Sequence, residues 1–192
     1  MRAFPVYAAS ALVLVALTSC SGQGTSEPTE TTGDTRNAAV AVTFAPDSKD
    51  AITHLPGLVP PGATAKITST SGGGRSTVTL EVAGLVSDRH YGAHAHTKAC
   101  GPAATDSGPH FQHEKDPVSP SVDPAYANPQ NEIWLDFTTD ARGRASTTST
   151  MDWEFTDQAH PASVVVHANH TATEPGKAGT AGDRAACVSV SF

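Results

Sequence analysis

The sequence has few aromatic residues, few cysteines and no excess of positive charge. Aromatic side chains make up only 6% of the 192 residues, so a core has to be built mainly from Val, Leu, Ile and Ala. The formal net charge is −7 and no basic stripe is present, which argues against nucleic-acid binding. The chain contains 16 Gly and 14 Pro, which favours turns over long helices.

A long apolar run is also missing, but a short one lies near the start of the chain. After a positively charged start, residues 8–17 are apolar, and they fall short of the roughly 20 residues that a membrane-spanning helix needs. The run ends in Leu-Thr-Ser-Cys, which looks like a lipobox closing at Cys20. We therefore expect residues 1–19 to be a lipoprotein signal peptide and Cys20 to carry a lipid. The protein would then be anchored to the outer face of the bacterial cytoplasmic membrane; a plain secretory signal is the alternative.

The remaining chain divides into a tether and one domain. Residues 20–37 are rich in Ser, Thr, Gly and Glu without apolar periodicity, which predicts a flexible tether. Over residues 38–192, short stretches of alternating apolar and polar residues predict about eight strands and no helix. The clearest strand is 78–82, and another is expected at 133–139. Such a pattern favours an antiparallel β-sandwich or barrel.

Two loops rich in Gly and Pro interrupt the strand pattern, at 99–131 and 171–183. Long loops in a compact domain usually carry function. Histidines lie in and beside them: an H-x-H pair whose side chains share one strand face, one histidine inside the first loop, and one at the end of an apolar strand. They are His94, His96, His110 and His167.

Cys100 and Cys187 remain as an even pair once Cys20 is assigned to the lipid. Outside the cytoplasm such a pair usually forms a disulfide. Two buried free thiols are the alternative.

In chain order, the motifs H-x-H, Cys, G-P-H-F, V-V-H and G-D-R-x-x-C resemble the Cu/Zn superoxide dismutase family. The likeness covers most of residues 38–192 and is densest from residue 92 onward. It implies an eight-stranded antiparallel Greek-key sandwich or barrel, a copper cofactor and superoxide as the substrate. The fold of that family is one of the immunoglobulin-like sandwich architectures.

The resemblance also implies roles for individual residues. The four histidines correspond to the copper ligands, and His110 to the ligand that bridges to zinc and passes a proton to the product. Arg184 corresponds to the arginine that attracts the anionic substrate. Cys100 and Cys187 correspond to the structural disulfide.

The resemblance is weakest at the zinc site. Only His113 follows His110 within the loop, while Pro129 and Glu132 fall where the family has a zinc histidine and an aspartate. We therefore favour a copper-only enzyme, with a makeshift zinc site of His110, His113 and Glu132 as the alternative.

A second functional hypothesis is a non-enzymatic module that binds or delivers copper at the cell envelope. The missing zinc histidines and the short loop at 168–183 favour it, whereas Arg184 has no use in a carrier. His170 lies three residues after His167, where it could support a copper ligand or be an exposed loop residue.

Overall fold

The computed structural model describes Met1 and residues 35–192, and this part of the chain is almost entirely β-structure. Its helical content is one 3₁₀ turn at Ala104–Ser107. Nine strands are formed: β1 (Arg36–Thr43), β2 (Ala51–Thr53), β3 (Thr64–Gly72), β4 (Arg75–Ala83), β5 (His90–His96), β6 (Phe137–Thr138), β7 (Ala145–Met151), β8 (Ser163–His167) and β9 (Arg184–Ser189).

Residues 2–19 of the predicted signal peptide, the predicted lipid attachment residue Cys20 and most of the predicted tether lie outside the described residues. Arg36 and Asn37, which were predicted to end the tether, are instead the first residues of β1, where they pair with Ser71 and Thr70 of β3. Within residues 35–192, no helix combines the length and the apolar character that crossing a bilayer requires.

The strands form two antiparallel sheets, in the orders β1-β3-β4-β7 and β2-β9-β8-β5-β6. A single hydrophobic cluster contains side chains from both sheets, such as Ile67 and Leu80 from the first and Tyr91, Val164 and Val188 from the second. The sheets therefore pack face to face as a sandwich. This confirms the predicted fold class.

The β3–β4 hairpin shows how local sequence sets the register. Gly73 and Gly74 form its two-residue loop with φ of +66° and +82°, as a type I′ turn requires of both residues. This turn places Val78 and Leu80 of β4 on the buried face. The intervening Thr79 faces outward, and its hydroxyl oxygen lies 2.9 Å from that of Thr148 on the neighbouring strand β7.

Two details differ from the sequence prediction. The short edge strand Ala51–Thr53 was not predicted, and the strand expected at 133–139 is reduced to Phe137–Thr138. In the second case the Ala93 amide donates to the side chain of Asp136, at 3.1 Å. A carboxylate oxygen thus takes a hydrogen bond that a backbone carbonyl would accept in a continuous ladder.

Cys100 and Cys187 form the predicted disulfide. It joins the loop after β5 to the last strand, across a sequence separation of 87 residues. The loop it holds continues into the 3₁₀ turn at Ala104–Ser107. The bond therefore restrains a segment that reaches the site described below.

We expect the double substitution Cys100→Ser/Cys187→Ser to lower the free energy of unfolding by about 4 kcal/mol, because it frees a long loop in the unfolded chain. Urea denaturation of the non-lipidated protein measures this change. Cys20→Ser is the matched control, since it removes a thiol outside the described domain. An unchanged urea midpoint in the double variant would contradict the prediction.

Candidate metal centre

The second sheet brings the four predicted histidines together. His94 and His96 lie in β5, and His167 ends the neighbouring β8, where it pairs with Gly92. His110, from the long loop, reaches the same place through an isolated β-bridge to His96. Their potential ligand atoms all lie within 4.8 Å of one another. Among the described residues, this is the only group of three or more potential metal ligands.

Two of the rings are oriented by backbone carbonyls. His96 Nδ1 lies 2.9 Å from the Gly108 oxygen, and His167 Nδ1 lies 3.3 Å from the Gly182 oxygen. Because a carbonyl can only accept, each Nδ1 carries the proton and each Nε2 keeps its lone pair. The two Nε2 atoms approach to 3.4 Å.

His94 is held through Nε2 and not through Nδ1. The Thr171 hydroxyl donates to Asp136 Oδ1 at 2.7 Å, so its oxygen accepts from His94 Nε2, also at 2.7 Å. His94 Nδ1 is therefore unprotonated, and it is buried without a hydrogen-bond partner. A buried polar atom with no partner is costly unless a ligand engages it. A metal ion bound by the other rings would satisfy this nitrogen.

Gly92 allows the Thr171 loop to reach β5. A Cβ on Gly92 would lie 2.7 Å from both the Asn169 oxygen and the Ala181 Cβ, and 3.0 Å from the Thr171 hydroxyl. Only a residue without a side chain permits this approach.

The fourth ring, His110, is oriented by a buried carboxylate. Its Nδ1 lies 2.8 Å from Oε2 of Glu132, which is only 1% exposed. Gln112 donates to the same carboxylate at 2.8 Å and the Trp134 indole at 2.7 Å. Because its Nδ1 is engaged by Glu132, the nitrogen that His110 can offer to a metal is Nε2.

Burial keeps His94, His96 and His167 neutral. It lowers the pKa of His94 and His96 well below the usual value, and the neighbouring His110 adds to the effect. Burial also lowers the pKa of His167 to about 3. Neutral imidazoles are the form that binds a metal, and both copper and zinc accept them. The residues present therefore fit a metal ion.

The alternative zinc site is not assembled in the described structure. His113 is exposed, and its ring stacks on Trp153 with centroids 4.9 Å apart and an interplanar angle of 6°. Glu132 already accepts three hydrogen bonds, one of them from His110 Nδ1. The nitrogen that a bridging histidine would offer to a second metal is thus engaged by a carboxylate.

A cavity of about 870 Å³ leads from solvent to the cluster. His110, His167 and Arg184 line it, whereas His94 and His96 are fully buried behind them. The sequence had grouped Arg184 with the histidines, and the structure brings its guanidinium to the wall of the same cavity.

The Arg184 side chain is held by the disulfide-bearing loop. Its Nη1 donates to the Ala104 carbonyl and to the Ser107 hydroxyl, both at 2.9 Å. Ser107 is 1% exposed, so this support is rigid. Partial burial lowers the pKa of Arg184 from its usual value.

Sequence reasoning did not find three supporting residues: Asp136, Thr171 and Ser107. None belongs to a motif, and each acts through a contact between distant segments. The sequence left the role of His170 open, and its side chain is mainly exposed. Its Nδ1 lies 3.0 Å from the Thr171 carbonyl oxygen and 3.4 Å from Asp136 Oδ2. It supports His94 only indirectly, through those two residues.

Comparison with known proteins provides a separate line of evidence. The Cu/Zn superoxide dismutase from Brucella abortus is similar in structure, with a TM-score of 0.49 and 17% sequence identity, over 80% of this chain and 99% of that chain. No curated protein gave a significant match. The family described as copper/zinc superoxide dismutase (SODC) matches residues 62–190. This match covers more than half of the chain, which therefore belongs to the copper/zinc superoxide dismutase family.

Proposed function

We propose that the protein is an extracytoplasmic superoxide dismutase with copper held by His94, His96, His110 and His167. One observation carries the proposal: one ring nitrogen from each of the four histidines lies within 4.8 Å of the other three, beside a cavity that Arg184 lines. When bound, copper would supply one-electron chemistry by alternating between Cu(II) and Cu(I). One superoxide is oxidised to oxygen, and a second takes up one electron and two protons to give hydrogen peroxide.

Arg184 gives the cavity its selectivity for a small anion. The protein as a whole is negative, so a fixed positive charge on the cavity wall is needed to draw superoxide inward. Its bonds to Ala104 and Ser107 hold the guanidinium at that wall without consuming its charge. A carrier of copper has no comparable need, and this favours the enzyme over the delivery module.

Glu132 replaces a second metal as the partner of His110. A carboxylate that accepts from Nδ1 fixes the ring, makes Nε2 more basic and stabilises the ring when it takes up a proton. His110 lines the cavity, so a proton held at Nε2 is positioned to pass to the departing peroxide. On this basis we propose that copper alone is the resident metal.

We also propose that Cys20 anchors the domain to the outer face of the cytoplasmic membrane. The lipobox-like sequence and the predicted tether at 20–37 support this. A disulfide in the folded domain suits a compartment outside the cytoplasm.

The decisive experiment is a dismutase assay on copper-loaded protein beside metal analysis. We expect one copper per chain and rapid turnover in the wild type. Arg184→Ala should bind copper equally well but lose roughly tenfold or more in kcat/KM at low ionic strength, with a weaker salt dependence. Arg142→Ala, an exposed arginine outside the cavity, is the matched control. Copper-loaded wild type without turnover would support the delivery module instead.

Glu132→Gln should weaken copper binding by about 10- to 100-fold. The amide presents hydrogens where three donors now converge, so at least one of them loses its acceptor. Competition with a chelator of known copper affinity measures the change. Glu114→Gln, whose side chain is exposed in the same loop, should bind copper as the wild type does. Equal affinity for Glu132→Gln would contradict the role given to this carboxylate.

Cys20→Ser should abolish labelling with radioactive palmitate in a bacterial host and move the protein from the membrane fraction to the soluble fraction. The lipid is the only membrane attachment that the proposal invokes. Membrane retention of the variant would contradict it.

A further inference from the structure

A second pair of histidines lies outside the four-histidine cluster. His90 begins β5, and His170 follows the end of β8 by three residues. Because β5 and β8 pair side by side, with Gly92 opposite His167, both histidines emerge at the same end of the sheet. Their ring centroids are 6.3 Å apart, with an interplanar angle of 76°.

In both rings Nδ1 is occupied. His170 Nδ1 lies 3.0 Å from the Thr171 carbonyl, which fixes the proton on that nitrogen. His90 Nδ1 lies 2.6 Å from the Thr138 hydroxyl. Neither Nε2 has a hydrogen-bond partner among residues 35–192, and the His170 side chain is 63% exposed. Two imidazole nitrogens are thus open to solvent and to ions.

The separation of the rings suits a single metal ion. Zinc binds an imidazole nitrogen at about 2 Å, so the ion lies about 3 Å from the ring centroid. Two rings on one ion then have centroids about 5 Å apart at the tetrahedral angle and about 6 Å apart when they lie on opposite sides of the ion, so the observed 6.3 Å is at the wide end of this range. To bind at the tetrahedral angle the two rings have to turn toward each other, and both belong to exposed residues.

The hydrogen-bond partners of His170 are of the kind that usually orient a metal-binding histidine. The second nitrogen of such a ring usually faces a carboxylate or a backbone carbonyl. His170 Nδ1 has both, with Asp136 Oδ2 at 3.4 Å beside the Thr171 carbonyl. The Arg89 guanidinium donates a hydrogen bond to the Ala168 carbonyl at 2.7 Å.

We infer that His90 and His170 form a surface site for a divalent transition-metal ion such as Zn²⁺ or Cu²⁺. Water completes its coordination, and Asp136 holds the His170 ring. The site shares no ligand with the four-histidine cluster or with the loop residues of the alternative zinc site. It does share a supporting group, because Asp136 also accepts from the Thr171 hydroxyl that orients His94. The inference stands independently of dismutase activity.

Calorimetric titration with Zn²⁺ of protein already loaded with one equivalent of copper tests the site. We expect the double variant His90→Gln/His170→Gln to bind one equivalent of Zn²⁺ fewer than the wild type. Glutamine keeps a hydrogen-bonding group at both positions, and His90 and His170 lie at the surface, so folding should be unaffected. His113→Gln, which removes another exposed histidine, is the matched control and should bind Zn²⁺ as the wild type does.

A second measurement locates the ion without any substitution. In protein labelled at the histidine nitrogens and loaded with Cu(I), Zn²⁺ should shift the Nε2 signals of His90 and His170. The inference is overturned if the double variant binds as much Zn²⁺ as the wild type, if the wild type binds none beyond the copper equivalent, or if only other histidines shift.

Discussion

The antiparallel pairing of β5 with β8 is the constraint on which the metal centre depends. It sets His167 beside Gly92 and brings two strand faces into register, so that three imidazoles converge without any loop contribution. Strands pair at a fixed spacing, and side chains two residues apart share a face. The pairing is buried between aliphatic side chains, as Val164 and Val166 are almost fully covered. The geometry of the ligands is therefore held by the same packing that stabilises the domain.

The loops then determine which nitrogen of each ring is available. Gly108, Gly182, Thr171 and Glu132 each engage one nitrogen of a different histidine, and in every case the other nitrogen faces the cluster. These acceptors come from two loops: Gly108 and Glu132 lie between β5 and β6, and Thr171 and Gly182 lie between β8 and β9. The ligand set therefore depends on both loops being closed against the sheet. The disulfide contributes to that closure, since the loop it fixes carries both Gly108 and the groups that hold Arg184.

A buried carboxylate faces the cluster on the side of His110. Glu132 is buried and gathers three donors around one charge, which satisfies it without a second ion. His113 is not part of the four-histidine group, and its ring stacks on Trp153. The opposite side of the cluster depends on Asp136, which reaches His94 through Thr171 and the exposed His170 directly.

The sequence by itself determined the strand pattern, the four histidines, the disulfide partners and the arginine, because each is marked by local periodicity or by an ordered motif. The structure brought these residues together as expected and confirmed the sandwich. Only the tertiary structure showed that Glu132 accepts from His110 and that His113 stacks on Trp153. It alone also revealed the supporting residues Asp136, Thr171 and Ser107. Those residues act through contacts between segments distant in the chain, and such contacts depend on loop closure, which leaves no periodic signal. The proximity of His90 and His170 is also a tertiary feature, but it results from strand pairing, because β5 and β8 bring the two residues to one end of the sheet.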